Sequence, residues 1–333
     1  MAYYLGIDGG GSKTYALICD EQGRILGKGR SGNGNHQTSV TQAENNIREA
    51  ASMALAEAGL RLDQLRQAYL GLAGADRQTD YNILHPMIRR IGFTQYTISG
   101  DTMIGLRAGT DRPYGVALIC GTGTNAAGRN PQGRHFQCGG FDYMYGDFGG
   151  GGALNIEVFR TVIRAWDGRE APTLLTVPLL KLLGYERVED MYDDFLDHGK
   201  QVPLDAARLL FPAAAEGDAA ALAILNRQGV ELGKAAAAVI HRLGMENDEF
   251  DVVLAGSVLT RGDRGWIRGP IEQAVHEAAP GGGGAVVTLS TEPVVGALWS
   301  ALESDGITVS QGMYETMRAY REFELIPTTT RQE

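Results

Sequence analysis

The chain has 333 residues, 44% of them hydrophobic and 21% charged, which is typical of a globular protein large enough for two domains. Its 30 basic and 40 acidic residues give a net charge of −10, which argues against binding to nucleic acid or to a membrane surface because both favour basic patches. Three cysteines, Cys19, Cys120 and Cys138, lack CxxC spacing, so neither a disulfide framework nor a zinc site is predicted. Since there is no leader sequence and no apolar run of membrane-spanning length, we expect a cytoplasmic protein.

The first predicted element is a hairpin with a glycine-rich loop. A strand ends at Asp8, and a second strand runs from Tyr15 to Cys19. The loop between them consists of small and polar residues: Gly9, Gly10, Gly11, Ser12, Lys13 and Thr14. Glycines permit positive φ and bring backbone N–H groups close to an anion, so this loop is predicted to bind phosphate. The Walker P-loop is a poor match, because Ser12 interrupts its spacing and the chain continues as a strand rather than a helix.

Strands and helices alternate after this hairpin, an order that predicts an α/β sheet. A glycine-rich loop with Asn35 and His36 precedes a long amphipathic helix. The elements that follow the loop are a helix at Thr38–Ala58, a buried strand at Gln67–Leu72, a helix at Gln78–Ile91 and a short strand at Tyr96–Ser99. Asp101 lies where the next helix begins.

A second hairpin of the same kind follows about 110 residues after the first. Its strands are Gly115–Cys120 and Ala126–Arg129. Its loop contains Gly121, Thr122, Gly123, Thr124 and Asn125. One such loop could be an ordinary tight turn, but the repetition favours phosphate binding and indicates two halves built on one plan. Two loops of this kind facing each other would hold a polyphosphate from both sides.

The polar segment Gly109–Pro113 is the predicted domain boundary, which gives an N-terminal domain at 1–112 and a C-terminal domain at 113–310. The later elements are a helix at Ala153–Trp166, a helical region at Pro172–Gly244, strands at Phe250–Leu254 and Ala285–Leu289, and a helix at Val294–Leu302. A final helix at 311–324 is a candidate for packing back onto the first domain.

Five motifs in this order resemble those of the BadF-type ATPases, whose best-understood members are N-acetylglucosamine kinases of the sugar kinase, actin and heat-shock chaperone superfamily. The motifs are Asp8–Thr14, Gly34–His36, Ser99–Asp101, Gly121–Asn125 and Leu254–Val258. The resemblance covers most of the chain. It implies an α/β fold of two actin-like (ribonuclease H-like) domains with a nucleotide-binding cleft between them. It also implies ATP and Mg²⁺ as cofactors and a small-molecule sugar as substrate, and we expect a homodimer.

The resemblance also implies roles for single residues. Asp101 is the implied catalytic base, and Asp8 is the implied Mg²⁺ residue, acting through water. The phosphate-binding residues are those of the two loops, with the hydroxyl groups of Thr14 and Thr122 as extra donors. The implied sugar-binding residues are Asn35, His36, Asp101, Asn125, Gly146 and Asp147, and the implied adenosine-binding residues are Gly256, Ser257 and Val258.

Each of these side chains also has a structural explanation. Asp8 could cap its turn, and Asp101 could be the N-cap of its helix. Asn35 and Asn125 are common turn residues, and a lone loop histidine such as His36 is more often solvated than a ligand.

The segment before the predicted helix at 153–166 departs from the family pattern. Sugar kinases of the family usually have Gly–Asp–Glu–Gly–Ser, whereas this chain has Gly–Asp–Phe–Gly–Gly at 146–150. The preceding run, 139–145, lacks the usual tryptophan. Phe148 could line the sugar pocket or belong to the core. Kinase activity is therefore better supported than any one sugar.

The leading functional hypothesis is an ATP-dependent kinase that phosphorylates N-acetylglucosamine at its 6-hydroxyl. Alternatives within the same class are kinases of N-acetylmuramic acid or glucosamine. A second class is the ATPase activator of an acyl-CoA dehydratase or reductase, which needs cysteines for an iron–sulfur cluster, and Cys120 and Cys138 do not fit that arrangement. A third class is a regulatory protein that binds nucleotide without turnover, which an intact Asp101 argues against.

Overall fold

The computed structural model describes residues 1–141, 143–260 and 264–320 and divides the chain into two compact units. The first comprises Met1–Gly115 and the described residues from Leu289 onward, and the second comprises Val116–Thr288. Each unit contains a five-stranded sheet with helices packed on it. The α/β class expected from the alternating elements is confirmed.

The first sheet has the strand order β3-β2-β1-β4-β5. Its strands are β1 (Tyr3–Gly9), β2 (Thr14–Asp20), β3 (Ile25–Ser31), β4 (Leu65–Leu72) and β5 (Tyr96–Gly100). The first three strands are antiparallel, whereas β4 and β5 run parallel to β1. Because parallel strands end at the same edge, Asp8 near the end of β1 and Asp101 just after β5 lie at one edge of this sheet.

Helices cover both faces of the first sheet. They are α1 (Val40–Ala58), α2 (Gln78–Ile91), α3 (Asp101–Gly109), α11 (Pro293–Ser304) and α12 (Gln311–Arg318). Helices α1 and α2 pack on one face, where Ile47 and Leu84 contribute to the core. Helix α11 packs on the other face, with Leu298 and Trp299 against Leu17.

The position of α11 differs from the domain division expected from the sequence, which assigned residues up to 310 to the second domain. Gly6 on β1 explains the close packing, since a Cβ there would lie 2.5 Å from the backbone nitrogen of Leu298. The following helix, α12, joins the same core through Tyr314 and Met317. Residues 321–324 of the helix predicted at 311–324 lie outside the described residues.

The second sheet repeats the plan of the first, with the order β10-β9-β6-β7-β8. Its strands are β6 (Gly115–Cys120), β7 (Thr124–Arg129), β8 (His135–Cys138), β9 (Phe250–Ala255) and β10 (Gly284–Thr288). Its helices are α4 (Gly151–Trp166), α5 (Thr176–Leu183), α6 (Val188–His198), α7 (Leu210–Ala215), α8 (Ala219–Leu243), α9 (Ser257–Thr260) and α10 (Arg268–Ala278). Each sheet thus has a hairpin at its centre, a third antiparallel strand on one side and two parallel strands on the other. The internal duplication predicted from the two glycine-rich hairpins is confirmed at the level of topology.

Within the part of the chain that the structure describes, no single helix has both the length and the hydropathy to cross a membrane. The segment Leu204–Ala215 and helix α8 meet those criteria only as a pair bent by 114°.

Candidate active site

The first glycine-rich loop is an open turn between β1 and β2. The backbone N–H of Gly10 donates to the carbonyl of Lys13 at 3.0 Å and closes the turn. Gly11 has no atom within 4 Å of its Cβ position, and both Ser12 and Lys13 are exposed. The backbone at the tip is therefore accessible to an anion. Neither loop contains a positive-φ glycine at positions 9–11, 121 or 123, so these glycines provide space for close approach and not an unusual backbone conformation.

Thr14 does not have the role expected of it. Its side chain is fully buried, and its hydroxyl donates a hydrogen bond to the carbonyl of Gly32 at 2.8 Å. The hydroxyl is therefore committed to the neighbouring loop and is not presented as a phosphate donor. The reason is the register of the hairpin, which pairs Thr14 with Gly9 inside the sheet.

Asp8 and Asp101 form a carboxylate pair at the edge of the first sheet. Burial, the negative charge of Asp101 and that of Glu292 together raise the pKa of Asp8 to about 7, against an opposing effect of Lys13. Burial also raises the pKa of Asp101, which hydrogen bonds from Thr102 partly offset. Such raised values are frequent where a carboxyl group takes part in proton transfer.

Asp101 lies at the start of helix α3, where an aspartate can act as the N-cap. The N-cap of α3 is Gly100, which has an extended backbone and no side chain, and the Asp101 carboxylate accepts hydrogen bonds from its own backbone N–H and from that of Thr102. Asp101 is therefore the first helical residue, and it does not act as the N-cap. Glu292 was not predicted. It is the residue before Pro293 at the start of α11, and only the packing of that helix on β1 brings its charge to the site.

The loop with Asn35 and His36 lies next to the first phosphate loop. The side-chain oxygen of Asn35 accepts a hydrogen bond from the backbone of Gln37 at 2.8 Å, so the turn-forming role of Asn35 is present. His36 is not the solvated loop side chain that was one of its two expected states, and its role as a sugar contact stays a prediction. It is only 4% exposed, and its Nε2 lies 3.4 Å from Oδ1 of the buried Asp80.

The second phosphate loop is supported by the start of α4. The backbone N–H groups of Gly151 and Gly152 donate to the carbonyls of Gly121 and Thr122, at 2.7 and 2.9 Å. Gly150 has a φ of 74°, and a Cβ there would lie 2.6 Å from the carbonyl oxygen of Thr122. Only glycine allows this approach. The Cβ positions of Gly121 and Gly123 are open, so the exposed side of this loop is accessible.

Asp147 braces the glycine-rich segment that precedes α4. Its Oδ2 accepts hydrogen bonds from the backbone N–H groups of Gly140 and Phe141, at 3.0 and 2.7 Å. Gly139 is required beside it, because a Cβ there would lie 2.1 Å from Oδ1. Asp147 also lines a cavity of about 170 Å³ together with Asn125 and Gly146, so the sugar-binding residues predicted in this unit lie together. Asp142 lies outside the described residues.

Phe148 is half-buried and lines two cavities. One is the cavity shared with Asp147, and the other has about 550 Å³ and extends along Thr122, Gly123 and Thr124. The guanidinium of Arg227 lies over the Phe148 ring at 4.0 Å from its centre. Gln228 holds the segment from behind, since its Oε1 accepts from the backbone of Gly150 at 3.0 Å. Phe148 therefore lines cavities and does not belong to the buried core, and its place in a sugar pocket stays a prediction.

The predicted adenosine motif adjoins the second phosphate loop. Gly256 has a φ of 91°, and a Cβ there would lie 2.4 Å from the carbonyl oxygen of Cys120. Ser257 and Val258 line a cavity of about 400 Å³ that Gly121 and Thr122 also line. The opposite wall is a helical segment that no motif pointed to: Leu204, Asp205, Ala207, Arg208 and Phe211. The sequence predicted only that this segment lies within the helical region Pro172–Gly244.

Known proteins with similar sequences include ATPases and sugar kinases. The model of the BadF/BadG/BcrA/BcrD ATPase family matches residues 5–301. The chain is 30% identical over 263 residues to an N-acetylmuramic acid/N-acetylglucosamine kinase of Clostridium acetobutylicum, covering 78% of this chain and 86% of the relative. It is 27% identical to an N-acetyl-D-glucosamine kinase of Dictyostelium discoideum, over 90% of this chain and 98% of the relative.

Solved structures agree on the fold. A candidate N-acetylglucosamine kinase from Chromobacterium violaceum superposes with a TM-score of 0.68 at 22% identity, covering 91% of this chain and 99% of that one. A ROK family glucokinase from Streptomyces griseus, solved with glucose and AMPPNP, gives a TM-score of 0.55 at 16% identity, covering 91% of this chain and all of that one. The chain therefore belongs to the BadF/BadG/BcrA/BcrD ATPase family and has the two actin-like domains of the sugar kinases.

Proposed function

We propose that this protein is an ATP-dependent kinase that transfers the γ-phosphoryl group of ATP to a hydroxyl of an amino sugar, with the 6-hydroxyl of N-acetylglucosamine as the first candidate. The observation that carries the proposal is the carboxylate pair of Asp8 and Asp101, in which both pKa values are raised and Asp101 is not the N-cap residue of α3. The family match and the kinase relatives support the same reaction class.

Asp101 is the proposed catalytic base. Phosphoryl transfer depends on positioning and charge neutralisation, and the attacking hydroxyl must lose its proton as it bonds to phosphorus. A carboxylate whose pKa is raised by burial accepts that proton more readily than an exposed aspartate does. The hydrogen bond from the Thr102 hydroxyl to Oδ1, at 3.4 Å, orients the carboxylate.

Asp8 is the proposed metal residue. Burial and the charges of Asp101 and Glu292 raise the pKa of Asp8, and a nearby cation would favour its ionised form. A hard carboxylate oxygen suits Mg²⁺. When bound, Mg²⁺ would neutralise charge on the phosphate oxygens.

Backbone N–H groups are the proposed phosphate ligands in each unit. In the first unit they belong to the exposed tip at Gly11, Ser12 and Lys13, and in the second to Thr122 and Gly123. The cavity bounded by Ser257 and Phe211 is the proposed site of the nucleoside, because it begins at the second phosphate loop. Asn35, Asn125, Gly146 and Asp147 remain the proposed sugar contacts.

The proposal can be tested by measuring ATP consumption with purified protein across hexoses, hexosamines and N-acylated amino sugars. We expect turnover with N-acetylglucosamine or a close relative such as N-acetylmuramic acid or glucosamine, and little with plain hexoses. ATP hydrolysis that no sugar accelerates would contradict the proposal and favour the ATPase-activator class.

The cysteines give little support to that second class. Burial raises the pKa of the Cys120 thiol to about 12, which disfavours the thiolate that binds iron. Cys120 and Cys138 lie on separate strands of the second sheet, and Cys138 is only half-buried.

Replacing Gly123 by valine is expected to weaken ATP binding by about tenfold or more. The valine side chain would occupy the open space in front of the loop and keep the phosphates away from the backbone N–H groups. Isothermal titration calorimetry would measure the affinity. Gly269→Val is the matched control, because Gly269 also has open space at its Cβ position but lies on α10. Equal ATP affinities for the two variants would remove Gly123 from the phosphate site.

Replacing Phe148 by alanine is expected to change the ratio of kcat/KM between N-acetylglucosamine and glucose by about tenfold, the effect of a contact worth roughly 1.4 kcal/mol. The ring lines both cavities of this segment and offers an apolar face to an acyl methyl group. Phe195→Ala on α6, where Phe195 packs on Phe159, serves as the control. A Phe148 variant that lowers kcat/KM equally for both sugars would place the ring outside the specificity pocket.

A further inference from the structure

The loop from Gly32 to Gln37 is anchored at both of its ends. It contains Asn35, the proposed sugar contact, and it connects β3 to α1. One end packs on the first phosphate loop, and the other packs on the start of α2. The two anchors are different in chemistry, and the second includes a buried ionisable pair that the proposed reaction does not use.

The first anchor joins this loop to the phosphate loop. The backbone N–H of Gly34 donates to the carbonyl of Gly10 at 2.9 Å, and the Thr14 hydroxyl donates to the carbonyl of Gly32 at 2.8 Å. A Cβ on Gly34 would lie 2.6 Å from Thr14 Oγ1, so the contact is close-packed. This end cannot shift without disturbing the phosphate loop.

The second anchor is the contact between His36 and Asp80. Both side chains are buried, with relative exposures of 4% and 2%, and Nε2 of His36 lies 3.4 Å from Oδ1 of Asp80. Burial opposes ionisation of Asp80, but the N–H groups of Arg77 hold the pKa of this carboxyl below its ordinary value. An ionised carboxylate can only accept, so Nε2 of the imidazole carries the proton that points at Asp80.

Asp80 contacts both Arg77 at the start of α2 and His36 in the loop. Its Oδ2 accepts from the backbone and side-chain nitrogens of Arg77, at 2.9 and 3.0 Å, and so completes the capping box of α2. Its Oδ1 faces His36 and also accepts from Nη2 of Arg77 at 3.1 Å. The capping box accounts for the hydrogen bonds of Oδ2. It does not account for the burial of His36, from a distant loop, against Oδ1.

The contact between His36 and Asp80 affects the position of Asn35, which directly precedes His36. The backbone N–H of Asn35 donates to Oδ1 of Asn33 at 2.7 Å, and its side-chain oxygen accepts from Gln37 at 2.8 Å. The local turn is thus rigid, and its position as a body is set by the two anchors. Small displacements of a substrate-binding group are costly in catalysis, so the His36 anchor matters for sugar binding.

We propose that Asp80 is a positioning residue that acts through His36 to place the loop of Asn35 for sugar binding. This inference rests on the proposed kinase function. It replaces the direct sugar contact that the family resemblance implied for His36 and assigns a role to Asp80, which no motif included.

Steady-state kinetics of matched variants would test the proposal. His36→Leu removes the N–H donor, whereas His36→Gln keeps a side-chain N–H that can reach Asp80. We expect His36→Leu and Asp80→Asn each to raise the KM for the sugar by about tenfold, the effect of losing one charge-assisted hydrogen bond. The kcat and the KM for ATP should stay within about twofold, and His36→Gln should recover most of the sugar affinity. The double variant His36→Leu/Asp80→Asn should be no worse than either single variant. The exposed Asp63→Asn is the control.

Other outcomes would overturn the proposal. If His36→Leu raises the KM for the sugar and Asp80→Asn does not, His36 contacts the sugar directly. If both variants lower thermal stability and change all kinetic constants together, the pair has a structural role alone. Hydrogen exchange provides a readout without a substrate. Faster exchange at 33–37 in both Asp80→Asn and His36→Leu supports the proposal, since His36→Leu leaves the capping box of α2 intact, and unchanged exchange at 33–37 contradicts it. If the wild-type protein phosphorylates no amino sugar, the proposed function fails, and this exchange measurement still decides whether Asp80 holds the loop.

Discussion

Replacing Asp101 by asparagine is expected to lower the rate of phosphoryl transfer by about a hundredfold to ten-thousandfold. The amide has the shape of the carboxylate but cannot take the proton of the attacking hydroxyl. Since the phosphate loops are untouched, ATP affinity should remain within a few-fold of the wild-type value. Single-turnover kinetics and calorimetry with ATP would measure the two quantities separately.

The control for this variant is Asp63→Asn, which changes an exposed carboxylate in the same unit. Asparagine keeps a side-chain oxygen that can accept the backbone hydrogen bonds which the Asp101 carboxylate receives at the start of α3, so the thermal stability should change little. Turnover within a few-fold of wild type would exclude Asp101 from the chemistry. A large loss of both activity and thermal stability would point instead to a structural role.

Repetition made much of the fold predictable from the sequence. The two glycine-rich hairpins predicted two halves built on one plan, and both sheets have the same strand order. The sequence also predicted α2 with its observed bounds, Gln78–Ile91. Strand β3 was not predicted, because Gly27 and Gly29 lower its strand propensity. Those glycines are needed for packing, since a Cβ at either would lie about 2 Å from carbonyl oxygens of α1.

Contacts between residues far apart in the chain were beyond the reach of local patterns. The motifs located Asp8 and Asp101, but not Glu292, whose charge reaches Asp8 only because α11 packs on β1. The same limit applies to His36. A loop position favours a solvated side chain, whereas His36 is buried in contact with Asp80, which is 44 residues away. Side chains that support a site leave little signal in one sequence.

Replacing Asp8 by asparagine is expected to abolish most Mg²⁺-dependent turnover and to change its pH dependence. With a pKa of about 7, wild-type Asp8 is largely protonated in acid, so protons and Mg²⁺ compete for it. Wild-type activity should therefore decrease below about pH 7, and a higher Mg²⁺ concentration should shift this decrease to lower pH. The residual activity of Asp8→Asn should lack that Mg²⁺-dependent shift. If the decrease of wild-type activity at acid pH does not depend on the Mg²⁺ concentration, the proposed metal role of Asp8 is contradicted.

The same pKa predicts that Asp8→Asn stabilises the ligand-free protein at alkaline pH. The folded-state pKa, about 7, lies above the ordinary value of 3.8, so the folded state binds the proton more tightly than the unfolded state does. The stability from this proton is fully present below pH 3.8 and is lost as pH rises through 7. Above pH 7 the ionised Asp8 is disfavoured by its burial and by repulsion from Asp101, and the neutral amide removes the charge that causes both effects. We expect the variant to unfold a few degrees higher than wild type at pH 8, on the order of 1 kcal/mol or more, with a smaller difference at pH 5.

Thermal unfolding in chelator at both pH values would measure this difference in melting temperature, with Asp63→Asn as the control. Equal melting temperatures for wild type and Asp8→Asn at pH 8 would show that neither burial nor repulsion disfavours the ionised Asp8 in the folded state.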